Sequence, residues 1–186
     1  MIKKTLVIAT LSLFVSCSVH TKGEDVKVSE DRKNTPKEIT NGILIGPAKM
    51  SDLQQEPFNE WFTSGYENYQ ADDDVINQIK KHIKKSTITI FMGTWCEDSQ
   101  NQVPKFYKIL KQLDYPLKKV TLIMMNRNKT TPGAFEEGLN ITNVPTFIFY
   151  NNKKEINRIV ESPVENLEQD FLTIVSGKPY KHIYAE

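Results

Sequence analysis

Apolar positions recur along this chain in two rhythms, one helical and one β-like. Phe58, Trp61, Phe62, Tyr66 and Tyr69 are spaced by three and four residues, which predicts a helix packed by its aromatic face. Val75, Ile76, Ile79 and Ile83 predict a second helix. Asp72-Asp73-Asp74 open it, and Lys81, Lys84 and Lys85 lie toward its end, as the helix dipole favours. The three aspartates are not spaced as a calcium loop, so they are read as capping. Val103, Phe106, Tyr107, Leu110 and Leu113 predict a helix over 98–113. The β-rich run 87–92 and the runs 120–125 and 146–150 are buried-strand candidates, and Gly42 to Gly46 is a shorter one. Asn151-Asn152-Lys153-Lys154 predicts a hairpin turn, with 155–160 as the returning strand. Residues 130–139 read as a short helix or a loop. Ser162-Pro163-Val164-Glu165 predicts a last helix start, with Ser162 as cap, Pro163 in the first position and Glu165 completing a capping box. Leu167, Phe171, Leu172 and Val175 are its apolar face, and Gly177 ends it. From residue 73 the order is α-β-α-β-α-β-β-α without internal repeats. That predicts an α/β domain over 73–186, with 41–72 as an N-terminal helical extension packed on it.

Composition narrows the function classes. The 186 residues carry 24 Lys and Arg against 23 Asp and Glu, a balance of +1. Nucleic-acid binders carry a basic excess or stripe, so no nucleic-acid partner is expected. Arg127 and Lys129 read as a solvated loop. Two cysteines, Cys17 and Cys96, exclude a disulfide-dense scaffold and a four-cysteine zinc site. His20, His82 and His182 are scattered, so neither a metal nor a cofactor is expected. The chemistry therefore falls on the two sulfurs.

The N-terminus carries Lys3 and Lys4, then an apolar stretch from Thr5 to Val15 that is too short to span a bilayer, which takes about 20 helical residues. Residues 1–16 are read as an export signal. Phe14-Val15-Ser16-Cys17 resembles a bacterial lipobox, with Phe14 where Leu is usual. The resemblance implies that Cys17 is the lipid attachment site and the mature N-terminus. The competing reading is ordinary signal cleavage with Cys17 lost or incidental. The polar, charged segment 17–40 lacks an apolar face and is read as a disordered tether. The expectation is an exported lipoprotein held at a membrane surface, facing the periplasm or cell exterior. A lipidated Cys17 cannot pair with Cys96.

Cys96 falls between the strand at 87–92 and the following helix. Unpaired backbone N–H groups at a helix N-terminus favour a thiolate, the species that attacks a disulfide. Thr94-Trp95-Cys96-Glu97-Asp98-Ser99 resembles the thioredoxin active site, usually Trp-Cys-Gly-Pro-Cys. Pro104 matches the proline of the thioredoxin active-site helix, and Asn143-Val144-Pro145-Thr146 matches its cis-proline loop. The run is also similar to thioredoxin-like proteins with Trp-Cys-Gly-Asp-Ser. The resemblance covers about residues 73–177 and implies a thioredoxin-like fold. It implies Cys96 as nucleophile, Ser99 as a possible hydrogen-bond donor to the thiolate, and Trp95, Val144 and Pro145 around the substrate. Pro145 is expected to be cis, with the Val144 backbone pairing with an extended substrate segment.

The chain departs from that pattern in two places. Ser99 replaces the resolving cysteine, and Ile90 stands where thioredoxins usually bury an aspartate. Glu97 and Asp98 suit a helix N-terminus but oppose a nearby thiolate. The expected function is exchange on protein or small-molecule disulfides through one thiol, with an external thiol reductant. The alternative is a non-catalytic peptide-binding module. A thiol peroxidase is a weaker third reading, because residues 91–95 do not resemble a peroxidase site.

Overall fold

The computed structural model describes residues 35–185. The signal, Cys17 and the tether up to residue 34 lie outside the described residues. Strands β1 (Glu38–Thr40), β2 (Ile43–Ala48), β3 (Ser86–Met92), β4 (Val120–Met124), β5 (Thr146–Asn151) and β6 (Lys154–Val160) form one sheet. Its order is β1-β2-β4-β3-β5-β6. Strands β3 and β4 run parallel and every other neighbouring pair is antiparallel. Helices are α1 (Met50–Leu53), α2 (Asn59–Glu67), α3 (Asp73–His82), α4 (Glu97–Gln112) and α5 (Leu167–Val175). The mixed sheet flanked by helices is the expected thioredoxin-like fold.

Side chains alternate across the strands, as the pleat requires. Ile88, Ile90 and Met92 of β3 join Leu122, Met124, Phe147 and Phe149 in the main core, to which all five helices contribute buried residues. At its centre Phe106 of α4 stacks on Phe171 of α5 at 5.4 Å and meets Phe147 at 4.4 Å. The opposite face presents Phe91, Ile123, Met125, Val144 and Ile148. Phe135, Leu139 and Ile141 cover this face from an irregular segment rather than a helix. Pro132-Gly133 and the left-handed Gly138 interrupt any helix there.

The aromatic helix is α2, and its Phe62 is buried against Tyr107 of α4. Asp72 caps α3, accepting from the N–H groups of Asp74 and Val75. Asn152 and Lys153 both have positive φ in the two-residue turn between β5 and β6, the geometry of a tight hairpin. Residues 43–48 of the expected extension belong to the sheet itself, because β2 pairs with β4. The segment read as tether also ends in structure: Glu38–Thr40 pairs with Ile43–Ile45.

One local expectation is overturned. The last helix starts at Leu167, not at Pro163, and its cap is Asn166, whose side chain accepts from Gln169 N. Residues 162–165 are instead drawn onto the buried carboxylate of Asp170, which accepts from Val164 N at 2.7 Å and Glu165 N at 3.2 Å. Those two N–H groups are satisfied outside a helix, so the Ser162 capping box does not form.

Candidate functional site

Cys96 stands between β3 and α4 as the N-cap of α4, with extended backbone (φ −102°, ψ 123°). The turn into it is closed by Cys96 N donating to Gly93 O at 3.1 Å, and α4 begins with Gln100 N donating to Cys96 O. Gln100 Nε2 reaches back to Thr94 O at 2.7 Å, and Thr94 Oγ1 accepts from Leu44 N of β2. Gly93 has no space for a side chain, since a Cβ there would lie 2.5 Å from the Trp95 indole. The ring itself is fixed by Nε1–H donating to Met125 O at 2.9 Å. The exposed guanidinium of Arg127 lies 5.4 Å from the Trp95 ring centroid, a cation–π contact. Arg127 is therefore part of the rim of this site rather than only a solvated loop residue.

The sulfur is half-buried and is the only cysteine sulfur among the described residues. It donates to Val144 O at 3.2 Å. The Val144–Pro145 peptide is cis. Thr146 Oγ1 donates to Asn143 O at 2.6 Å and tightens this loop at the start of β5. The structure thus brings together Trp95, Cys96, Val144 and Pro145 from two distant stretches of chain.

Ser99 lies in the first turn of α4 but is fully buried, and its Oγ accepts from Gly93 N at 3.3 Å. It braces the turn that carries the thiol, where the sequence had suggested a bond to the sulfur itself. Ile90 is fully buried in the main core, so the position that often holds an acid is apolar here. Pro104 lies inside α4, and Gly65 of α2 approaches its ring. The residue that sequence reasoning missed is Glu161, which contacts the cis-proline loop. It is an acidic side chain beyond β6 with no motif around it.

A free cysteine capping a helix after a central strand, opposite a cis-proline loop, defines a thioredoxin-like domain. The chain belongs to the thioredoxin family: the family model described as Thioredoxin matches residues 48–170. That match reaches back through α1 and α2, so most of the segment 41–72 lies inside the family region rather than outside it. The chain is similar to Thioredoxin H5 of Oryza sativa subsp. japonica, at 23% identity over 111 residues, covering 60% of this chain and 77% of that one. Among solved structures it is similar to a protein of unknown function, PA1234, from Pseudomonas aeruginosa. There the TM-score is 0.55 at 11% identity, covering 70% of this chain and 93% of that one. An HIV epitope-scaffold aligns with a TM-score of 0.47 at 12% identity, covering 71% of this chain and all of that one.

Proposed function

We propose that this is an exported, lipid-anchored member of the family that exchanges disulfides through the single thiol of Cys96. The observation carrying this reading is the half-buried Cys96 sulfur at a helix N-terminus, 3.2 Å from Val144 O beside the cis-proline. In the first step the Cys96 thiolate attacks one sulfur of a substrate disulfide. A Cys96–substrate disulfide forms, and the other substrate sulfur leaves as a thiolate that takes a proton from water. Ser99 has no sulfur to complete a dithiol cycle. Release comes when an external thiolate, or the substrate's own second thiolate, attacks the substrate sulfur of the mixed disulfide. Cys96 then returns as a thiolate, and the substrate leaves bearing a new disulfide. The proposed partners are a protein or small-molecule disulfide and an external thiol. Trp95, Val144 and Pro145 shape the groove, and Val144 offers its backbone to an extended segment.

The test is trapping of mixed disulfides on the mature domain, together with turnover of a disulfide peptide under added thiol. Turnover that survives Cys96→Ser overturns the reading. The proposed anchor at Cys17 is tested by mass spectrometry of the mature N-terminus, where an unmodified end excludes it.

A second reading keeps the groove and drops the chemistry, giving a peptide-binding module. The full burial of Ser99, with its Oγ already bonded to Gly93 N, favours this alternative. Equal peptide affinity in wild type and Cys96→Ser, with no turnover in either, would select it.

A further inference from the structure

Glu161 follows β6 with a φ of 62°, a left-handed conformation at a non-glycine residue. From there it makes two contacts to the loop that faces Cys96. Its N–H donates to Pro145 O at 2.6 Å. Its Oε1 accepts from Asn143 Nδ2 at 3.3 Å. A third contact holds Glu161 itself, as Oε2 accepts from the hydroxyl of Tyr184. Val144, whose carbonyl accepts from the Cys96 thiol, lies between the two loop residues that Glu161 holds.

Tyr184 is anchored through its own segment. The C-terminal stretch runs beside β6, where Asn157 Nδ2 donates to Tyr180 O at 2.9 Å. The Tyr180 hydroxyl donates to the buried carboxylate of Asp170 at 2.7 Å. The tail is therefore tied to β6 and α5 before it reaches Glu161. A glycine would adopt the left-handed φ more readily and would retain the backbone bond to Pro145. It would lose both carboxylate contacts, so the acidic side chain does what the backbone conformation alone does not require.

We propose that Glu161, held by Tyr184 of the C-terminal segment, is a positioning residue for reaction at Cys96. It fixes where the Val144 carbonyl and Pro145 stand relative to the sulfur. Its effect on substrate exchange rests on the disulfide-exchange reading above, whereas its effect on the thiol does not. The Val144 carbonyl engages the Cys96 S–H at 3.2 Å and stands directly against the sulfur. Loosening the loop should therefore make the thiol more reactive while spoiling the groove that receives the substrate.

The experiment compares wild type, Glu161→Ala, Glu161→Gln and Tyr184→Phe in the mature protein, at temperatures where all are folded. The readouts are the rate of Cys96 alkylation by iodoacetamide at pH 7, and kcat and KM for a disulfide peptide with added thiol. Glu161→Ala should raise KM roughly tenfold with a smaller change in kcat, less than the roughly hundredfold that a full 1 Å misplacement can cost. It should also speed alkylation by about threefold or more. Tyr184→Phe should shift both in the same directions by less. Glu161→Gln keeps oxygen and amide groups at the same reach and should stay within about twofold of wild type. Wild-type alkylation and KM in both Glu161→Ala and Tyr184→Phe, with only a lower unfolding temperature, would overturn the proposal. If wild type itself turns over no disulfide, the exchange reading fails and the alkylation rates still decide this one. If Glu161→Ala does not fold, Tyr184→Phe carries the test.

Discussion

The Cys96 sulfur and the Val144 carbonyl oxygen stand 3.2 Å apart, joining residues 48 positions distant in the chain. The thiol donates in this contact, so ionisation ends it and leaves the carbonyl as a free acceptor. An extended peptide brings backbone N–H groups, and one of them can take the vacated place. On the proposed exchange reading, ionisation of Cys96 and opening of the groove to a substrate would be one event. Cys96→Ser should retain a donor to Val144 O and change stability by no more than about 1 kcal/mol. It should lose mixed-disulfide formation completely. Denaturant unfolding alongside trapping checks both halves.

Ser99→Cys should restore an internal partner. Three residues along a helix separate Cα atoms by roughly 5 Å, inside the disulfide range of about 4.4–6.8 Å. The variant should oxidise within the chain, protecting both thiols from alkylation. Release of substrate from the mixed disulfide should then proceed without external thiol, whereas the internal disulfide left behind must be reduced by external thiol before the next turnover. The replacement also removes the oxygen that accepts from Gly93 N. An unsatisfied buried N–H costs about 1–3 kcal/mol, so the reduced variant should unfold at lower denaturant concentration.

The strands and the short runs that meet in the candidate site were legible in sequence because their signals are local. Phe147 and Phe149 on one face against Ile148 on the other is a two-residue alternation that can be read directly. Trp95-Cys96 and Val144-Pro145-Thr146 are short runs whose meaning does not depend on distant partners. β1 was hidden because Glu38, Ile39 and Thr40 are all exposed, and only backbone pairing with β2 makes them a strand. The 130–139 segment carried apolar residues fit for a helix or a loop, and its glycines and proline decided for turns. Glu161 gave no signal, because its role is defined by Asn143 and Tyr184, 18 and 23 residues away.

The displaced start of α5 separates two caps that look alike in sequence. Ser162 has the better capping-box spacing, yet Asn166 makes the bond, to Gln169 N at 2.9 Å. Asn166→Ala should cost about 1 kcal/mol, as loss of a helix N-cap does. Ser162→Ala should stay within about 0.5 kcal/mol of wild type, because the half-buried Ser162 does not cap the helix. The two denaturant midpoints, measured side by side, distinguish the caps.

The tyrosines set how the domain answers to alkali. Burial pushes the Tyr115 phenol up to about 12. Burial also raises Tyr69, Tyr107 and Tyr180, reinforced at Tyr69 by Glu168 and at Tyr180 by Asp170. Each phenol is held neutral in the folded state to a higher pH than in the unfolded chain, where tyrosine ionises near about 10. The stability this contributes is fully present below about pH 10 and is lost as pH rises toward and through the folded value. Unfolding at rising pH should therefore show stability flat to about pH 10 and falling above it. Tyr115→Phe isolates one of the four. Near pH 7 it removes the hydroxyl that donates to Ser86 O at 2.6 Å, at a cost of about 1–3 kcal/mol for the buried acceptor left unpaired. Phenylalanine does not ionise, so the gap between variant and wild type should narrow between about pH 10 and about pH 12. A gap that stayed constant across that range would mean that Tyr115 ionises alike in the folded and unfolded chain, and that its burial does not govern the alkaline transition.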